Sequence, residues 1–253
     1  MIIVNKKIKK PLISIITVSK NSSKTMQRCI DSVARQSFKN YEHIVIDGDS
    51  KDSTVEIIKK NQKFIRYAET KKDTNLWQAI NRGITISKGE IIGILNSDDV
   101  LFSKGLSIVN KYFKKKNIDY LFGSVLKNKI YSGFYPNKIN YKFNVFPSHS
   151  VSFFVKKIIY KKYGLYNEKL DYCSDYDFIY RLVKKNLRYS VTKKTEILGR
   201  FYPGGISEKI NIYNKIFYES KVRILNKQNL IIVILLAFGH FLNFFRNKFN
   251  FYK

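Results

Sequence analysis

Acidic residues are scarce in this chain: 19 Asp and Glu stand against 47 Lys and Arg in 253 residues, a formal net charge of +28. Cysteine is scarcer. Cys29 and Cys173 lie far apart without metal-like spacing, which argues against a disulfide framework or a zinc site and leads us to expect a reduced, cytoplasmic protein. Long hydrophobic runs are missing too. The start, Met1-Ile2-Ile3-Val4, is apolar for too short a stretch to be a signal peptide. The C-terminal run 230–242 falls short of the about 20 apolar residues of a bilayer span and is broken near its end by Gly239, His240 and Asn243. Neither an internal repeat nor an array of spans is present.

What is present in excess is positive charge, which attracts polyanions: nucleic acid, anionic lipid headgroups or nucleotide diphosphates. Nucleic acid is the weakest of the three. The lysines are scattered among Asn, Ile and Tyr, and neither zinc-finger spacing nor an RNP-like aromatic signature occurs, so no nucleic-acid partner is expected.

Three strand-loop-helix units follow one another. Residues 12–18 read as a strand before Ser19-Lys20-Asn21 and a helix over 23–36. Residues 41–46 read as a second strand, before the acidic loop 47–54 and a helix opened by a Ser53/Glu56 capping box. Residues 91–95 form a third apolar run and end in Asn96-Ser97-Asp98-Asp99. This order predicts an α/β protein whose parallel sheet gathers its loops on one rim. Two adjacent carboxylates on such a rim suit a divalent cation bound to a diphosphate; they also suit an ordinary Asp-rich turn.

The succession 13–21, Asp47-Gly48-Asp49-Ser50, Asp73-Thr74-Asn75-Leu76-Trp77, Asn96-Ser97-Asp98-Asp99 and Ser174-Asp175-Tyr176-Asp177 resembles the inverting family 2 glycosyltransferases of GT-A fold, in family order over roughly residues 11–207. That resemblance implies the site. Asp47 would accept the N3–H of a uracil ring, with the backbone of Thr17 and Val18 beneath it. Asp73 and Arg82 would close over ribose and phosphate, although Arg82 also suits a plain helix face. The family has Asp-x-Asp where this chain has Asn96-Ser97-Asp98, so Asp98 becomes the expected ligand of Mg²⁺ or Mn²⁺. Asp99 would be a second ligand or the cap of a helix starting near Ser103. Asp175 would be the catalytic base and Asp177 its fallback; both also suit the N-terminal end of a helix, where acidic charge complements the macrodipole.

Two stretches resemble acceptor-side segments. His149, in Pro147-Ser148-His149-Ser150, would meet metal, acceptor or pyrophosphate, or be a hydrogen-bonded loop residue. Tyr202, in the turn-rich loop 201–207, would stack on a sugar. Residues 131–146, aromatic and aperiodic, suggest a flexible acceptor loop.

The expected organisation is an N-terminal extension (1–10), one GT-A domain (11–207) with a nucleotide-binding half (11–100) and an acceptor half (101–207), and a helical tail (208–253). The tail, flanked by Lys227, Arg246, Lys248 and Lys253, is expected to lie on an anionic membrane surface on the inner face of the cell membrane, or to pack on the domain. The resemblance implies transfer of a hexose or N-acetylhexosamine from a nucleotide diphosphate, UDP, to a lipid-linked glycan in bacterial surface polysaccharide synthesis. Asn96 leaves open a degenerate GT-A subunit that binds nucleotide or glycan without catalysis.

Overall fold

The strands at the centre of the molecule are apolar on both faces because both faces are covered. In the computed structural model, which describes residues 2–4, 10–142, 145–204 and 210–250 (backbone alone at 245 and 247–250), the first half alternates strand and helix. Its elements are β1 (Ile2–Val4), β2 (Ile13–Ser19), α1 (Met26–Ala34), β3 (Tyr41–Asp47), α2 (Thr54–Lys60), β4 (Tyr67–Thr70), α3 (Leu76–Ile86) and β5 (Ile91–Asn96). The second half is more mixed: β6 (Val100–Leu101), α4 (Gly105–Lys115), β7 (Tyr120–Phe122), β8 (Ser124–Leu126), β9 (Ile130–Tyr131), β10 (Phe153–Lys156), α5 (Lys157–Tyr163), α6 (Ser174–Lys184), β11 (Tyr189–Val191) and β12 (Ile197–Arg200). Two helices, α7 (Ile212–Leu225) and α8 (Leu230–Asn250), follow.

The main sheet has eight strands in the order β1-β4-β3-β2-β5-β10-β7-β11. β4, β3, β2 and β5 run parallel, as expected, and β4 is a strand that the sequence pattern did not announce. β10 then enters antiparallel between β5 and β7. A second sheet, β6-β12-β8-β9, stands beside it.

Alternate residues of β2 feed opposite cores: Ile16 and Val18 join α3 on one face, while Ile13 and Ile15 join α1 and α4 on the other. Gly83 permits the first packing, since a Cβ there would stand 2.4 Å from Ile16 Cγ2. Burying these side chains contributes about 1.5–3 kcal/mol each.

Several local expectations are corrected. The Ser53/Glu56 capping box does not form: Ser53 makes no capping bond, and Asp52 Oδ1 accepts from Thr54 N at 3.1 Å instead. Asp99 does not cap a helix either, because α4 starts at Gly105 after Lys104. Residues 131–142 and 145–146 are not loose. Phe134, Ile139 and Val145 are buried in the main core, where Phe134 packs on Phe122 with ring centroids 4.6 Å apart.

The tail is a helical hairpin. Arg223 of α7, 2% exposed, donates to the carbonyls of Ile139 (3.1 Å) and Asn140 (2.6 Å) and so fastens α7 to the body. His240 Nδ1 of α8 pairs with the buried Glu219 of α7 at 3.1 Å. The opposite face of α8 leaves Leu230, Ile231, Ile234, Leu235, Phe238 and Leu242 exposed. Among the described residues no helix is long and apolar enough to cross a membrane. The side chain of Lys248, and Lys253 and Gly205 to Ser207 entirely, lie outside the described residues.

Candidate active site

Parallel pairing places Ser19, Asp47 and Asn96 side by side on one rim, because Ser19 is in register with Asp47 and Val18 with Asn96. The Asp47 carboxylate is fully buried there. It accepts from Ser19 Oγ (3.0 Å), Ser50 Oγ (2.5 Å) and Ser50 N (3.0 Å), so it fixes the loop that follows it. Thr17 and Val18 lie short of the rim, inside the strand; Thr17 Oγ1 turns into the core and bonds His43 Nε2 at 2.9 Å. Burial drives His43 down to about 3, which keeps that imidazole neutral.

Asp73 and Arg82 do meet. Arg82 pairs with Asp73, and its Nε also contacts Glu69 Oε1 at 2.6 Å. This guanidinium is therefore clamped between two carboxylates rather than lying free on a helix face. Glu69, at the end of β4, carried no motif and was missed with its strand.

The two adjacent carboxylates separate into different environments. Asp98 is half-buried, its pKa raised by burial with the Arg28 guanidinium opposing. Asp99 is fully buried. Its Oδ1 accepts from Tyr202 N at 2.9 Å, and burial pushes its carboxyl up to about 7, against the hydrogen bonds from Ser150 and Tyr202. Asp99 thus ties the 96–99 turn to the strand-end segment after β12, and only Asp98 faces outward.

Arg28 is a second residue that the sequence did not flag. It donates to the Asp98 carbonyl at 2.8 Å and lies 3.9 Å over the Tyr202 ring, whose surroundings also include Arg200 at 5.6 Å. One face of Tyr202 is accordingly covered by a cation and is not available to a sugar.

The loop before β10 joins this rim. Asn96 N donates to Ser150 Oγ at 2.9 Å, and the neighbouring His149 bonds Tyr166 OH at 2.7 Å. Tyr166 stacks on Trp77 (centroids 5.4 Å apart) and its N–H donates to Asn81 Oδ1 at 3.0 Å, so α3 and the segment leading to α6 are locked together. Burial lowers His149, and the charge of Asp175 nearby acts in the opposite direction. Asp175 is half-buried in the first turn of α6, where Oδ1 accepts from Tyr176 N at 2.8 Å. Asp177 is spoken for: Arg181 Nε (3.0 Å) and Asn226 Nδ2 (2.8 Å) take its two oxygens, which makes it a brace between α6 and α7 rather than a spare base.

Among the described residues no group of three or more His, Cys, Asp or Glu side chains converges as a metal site. One outward carboxylate, Asp98, with Asn96 beside it, still fits a hard cation such as Mg²⁺ or Mn²⁺, which takes one or two protein carboxylates and fills its sphere with substrate phosphate oxygens and water.

The model of glycosyl transferase family 2 matches residues 14–187, a span holding the whole rim and Asp175. The chain belongs to this family. An uncharacterized glycosyltransferase of Rickettsia typhi is 30% identical over 194 residues, 71% of this chain and 61% of that protein, so the chain spans about three fifths of this curated relative's length. The Staphylococcus aureus poly(ribitol-phosphate) beta-N-acetylglucosaminyltransferase TarP is 34% identical over 116 residues, 44% of this chain and 36% of TarP. Among solved structures, S. aureus TarS 1-349 in complex with UDP-GlcNAc superposes with a TM-score of 0.67 at 15% identity, covering 89% of this chain and 70% of that one. The mannosyltransferase PcManGT from Pyrobaculum calidifontis, in complex with GDP-Man and Mn²⁺, gives 0.67 at 11% identity over 94% and 76%. The fold of this family member is therefore of GT-A type.

Proposed function

We propose that this family 2 protein is an inverting glycosyltransferase that uses a nucleotide-diphosphate sugar, UDP-linked, and extends a lipid-linked glycan in bacterial surface polysaccharide synthesis. The observation that carries the reading is the rim itself: Asp47 ends β3 and Asp98 follows β5, both strands in register with β2, and the Asn96–Ser150 and His149–Tyr166 bonds tie that rim to the segment leading to Asp175. TarP, named for an N-acetylglucosaminyl transfer to poly(ribitol-phosphate), and the UDP-GlcNAc complex of TarS support the donor class and the setting.

The nucleotide-binding half (11–100) would hold the donor and the acceptor half (101–207) its partner. Asp47, held by Ser19 and Ser50, shapes the loop that receives the base and reaches N3–H through its remaining acceptor capacity, over the backbone of Thr17 and Val18 just inside the rim. Arg82 positions Asp73 toward ribose. Asp98 would hold Mg²⁺ or Mn²⁺, a role supported by the Mn²⁺ in PcManGT; the bound ion would offset charge on the departing diphosphate. Asp99 would support that ligand from behind rather than share it, by holding the 96–99 turn against Tyr202.

In the reaction the acceptor hydroxyl oxygen attacks the anomeric carbon from the face opposite the diphosphate. The new C–O bond forms as the bond to the leaving nucleoside diphosphate breaks, the configuration inverts, and Asp175 takes the hydroxyl proton. General-base assistance of this kind contributes about 10²–10⁴-fold. His149, beside Asp175 and hydrogen-bonded to Tyr166, orients the acceptor side.

The exposed apolar face of α8, with Lys227 and Arg246 at its ends, supports peripheral attachment to an anionic membrane from the cytoplasmic side. Asn96 favours a second reading, a GT-A subunit that binds its ligand without turning it over. A panel of nucleotide sugars, scored for thermal stabilisation and for metal-dependent sugar release, tests both: stabilisation with release supports the transferase, and stabilisation alone supports the binding subunit.

A further inference from the structure

A cavity of about 840 Å³ opens at the far end of the sheet, where β2 and β5 begin. β2 has seven residues, so this end lies about 20 Å from the rim that carries Asp47 and Asn96. Its floor is apolar, Leu12, Ile91 and Phe113, and the exposed Ile158 adds a fourth apolar lining residue. Its walls carry five lysines, Lys88, Lys114, Lys156, Lys157 and Lys161, against the single carboxylate of Glu90.

The cationic wall is held in place by bonds that do not neutralise it. The N–H groups of Lys88 (2.5 Å) and Gly89 (3.2 Å) donate to Glu42 Oε1, and Glu42 is itself buried and ion-paired with Arg66. Those bonds fix the backbone of the 87–89 loop and leave the Lys88 side chain free. Lys157 Nζ is anchored on the carbonyl of Ser87. Among the described residues Lys88, Lys114 and Lys161 make no ion pair, although other surface lysines such as Lys51 and Lys111 do. Burial, and next to it the like charge of Lys161, lower the pKa of Lys157, with Arg66 adding to them and Glu42 working against them. Four elements, the 87–89 loop, α4, the end of β10 and α5, therefore aim positive charge at one apolar hollow. The fold derives nothing from that repulsion, and an arriving anion would relieve it.

We propose that this cavity is a second binding site, for an anionic amphiphile: a phosphate monoester on the lysine rim with a hydrocarbon chain on the Leu12, Ile91 and Phe113 floor and against the exposed Ile158. The volume falls in the range of ligand pockets, about 300–1,000 Å³, and the combination of apolar floor and cationic edge distinguishes this chemistry from a bare phosphate site. The site shares no lining residue with the proposed transferase rim.

Dodecyl phosphate below its micelle concentration is the probe, titrated calorimetrically into the full chain. The expected result is saturable binding that inorganic phosphate matches at least tenfold more weakly. The double variant Lys88→Ala/Lys161→Ala, both exposed positions, binds the probe about tenfold or more less tightly at an unchanged melting temperature. Ile158→Gln, at a side chain 59% exposed, weakens dodecyl phosphate and leaves inorganic phosphate unaffected. Vesicles of phosphatidylcholine containing phosphatidic acid compete for the site if its occupant is a bilayer headgroup, and fail to compete if it is a free amphiphile; both results support the site. Equal affinities of the double variant and the wild type, or of inorganic and dodecyl phosphate, overturn it.

Discussion

The backbone N–H of Tyr202 donates to Asp99 Oδ1 at 2.9 Å, across 103 residues of chain, and so closes the end of the 96–99 turn over a buried carboxylate. Because the same burial raises that carboxyl to about 7, it is an acid that stays protonated several pH units above its unfolded value of about 3.9. A raised folded-state pKa means stability that is fully present below about pH 4 and is lost as pH rises through about 7. His43, lowered to about 3, acts in the opposite sense, losing stability as pH falls below about 6.5. The melting-temperature difference between wild type and Asp99→Asn isolates the first effect, since Asn retains an acceptor for Tyr202 N–H. We expect the variant to gain on the wild type steadily between about pH 4 and pH 7; parallel profiles would refute the assignment.

Asp175→Asn is expected to lower kcat by about 10² or more while leaving the donor KM within about twofold, because the substitution removes a proton acceptor and little else. Single-turnover assays separate the two constants. Retention of more than about a tenth of wild-type kcat would remove Asp175 from the role of base.

Asp177→Ala is expected to behave differently. It strands Arg181 and Asn226, so unfolding in urea should show a loss of about 2 kcal/mol, whereas Asp175→Asn should change stability by much less. Equal losses in the two variants would contradict the division between a brace and a base.

Donor binding divides in a similar way. Asp98→Ala should abolish the part of UDP affinity that Mn²⁺ adds, while Asp47→Ala should weaken UDP with EDTA present as well, because it releases the Ser19–Ser50 loop. Calorimetric titrations under both conditions read this out, and the same loss from both variants under both conditions counts against it.

For the hairpin, Ile231→Glu/Leu235→Glu places charge on exposed α8 positions that the fold does not use, so circular dichroism should be unchanged. Binding to anionic vesicles should fall at least tenfold, and high salt should weaken the wild type only in part, since screening acts on the charge contribution and not on apolar burial. Vesicle binding unaffected by the double substitution would mean that α8 does not mediate attachment.

The sequence by itself determined three of the four parallel strands and the rim. Apolar runs at 12–18, 41–46 and 91–95 can be buried on both faces only between helices, and loops rich in Asp, Ser and Gly after each run must then share one edge. Local pattern does not carry long-range pairing. Whether Asp98 or Asp99 faces outward depended on Tyr202; whether Asp177 was free depended on Arg181 and on Asn226, 49 residues away. The order of residues 131–142 and 145–146 came from Phe122 and Arg223, and the short strand β4 escaped notice because four residues with one buried side chain leave little periodicity. The lysine-walled cavity is likewise a product of tertiary structure alone: its five cations are spread over 74 residues of an already lysine-rich chain, and only the packing of α4 and α5 below β2 and β5 brings them to one place.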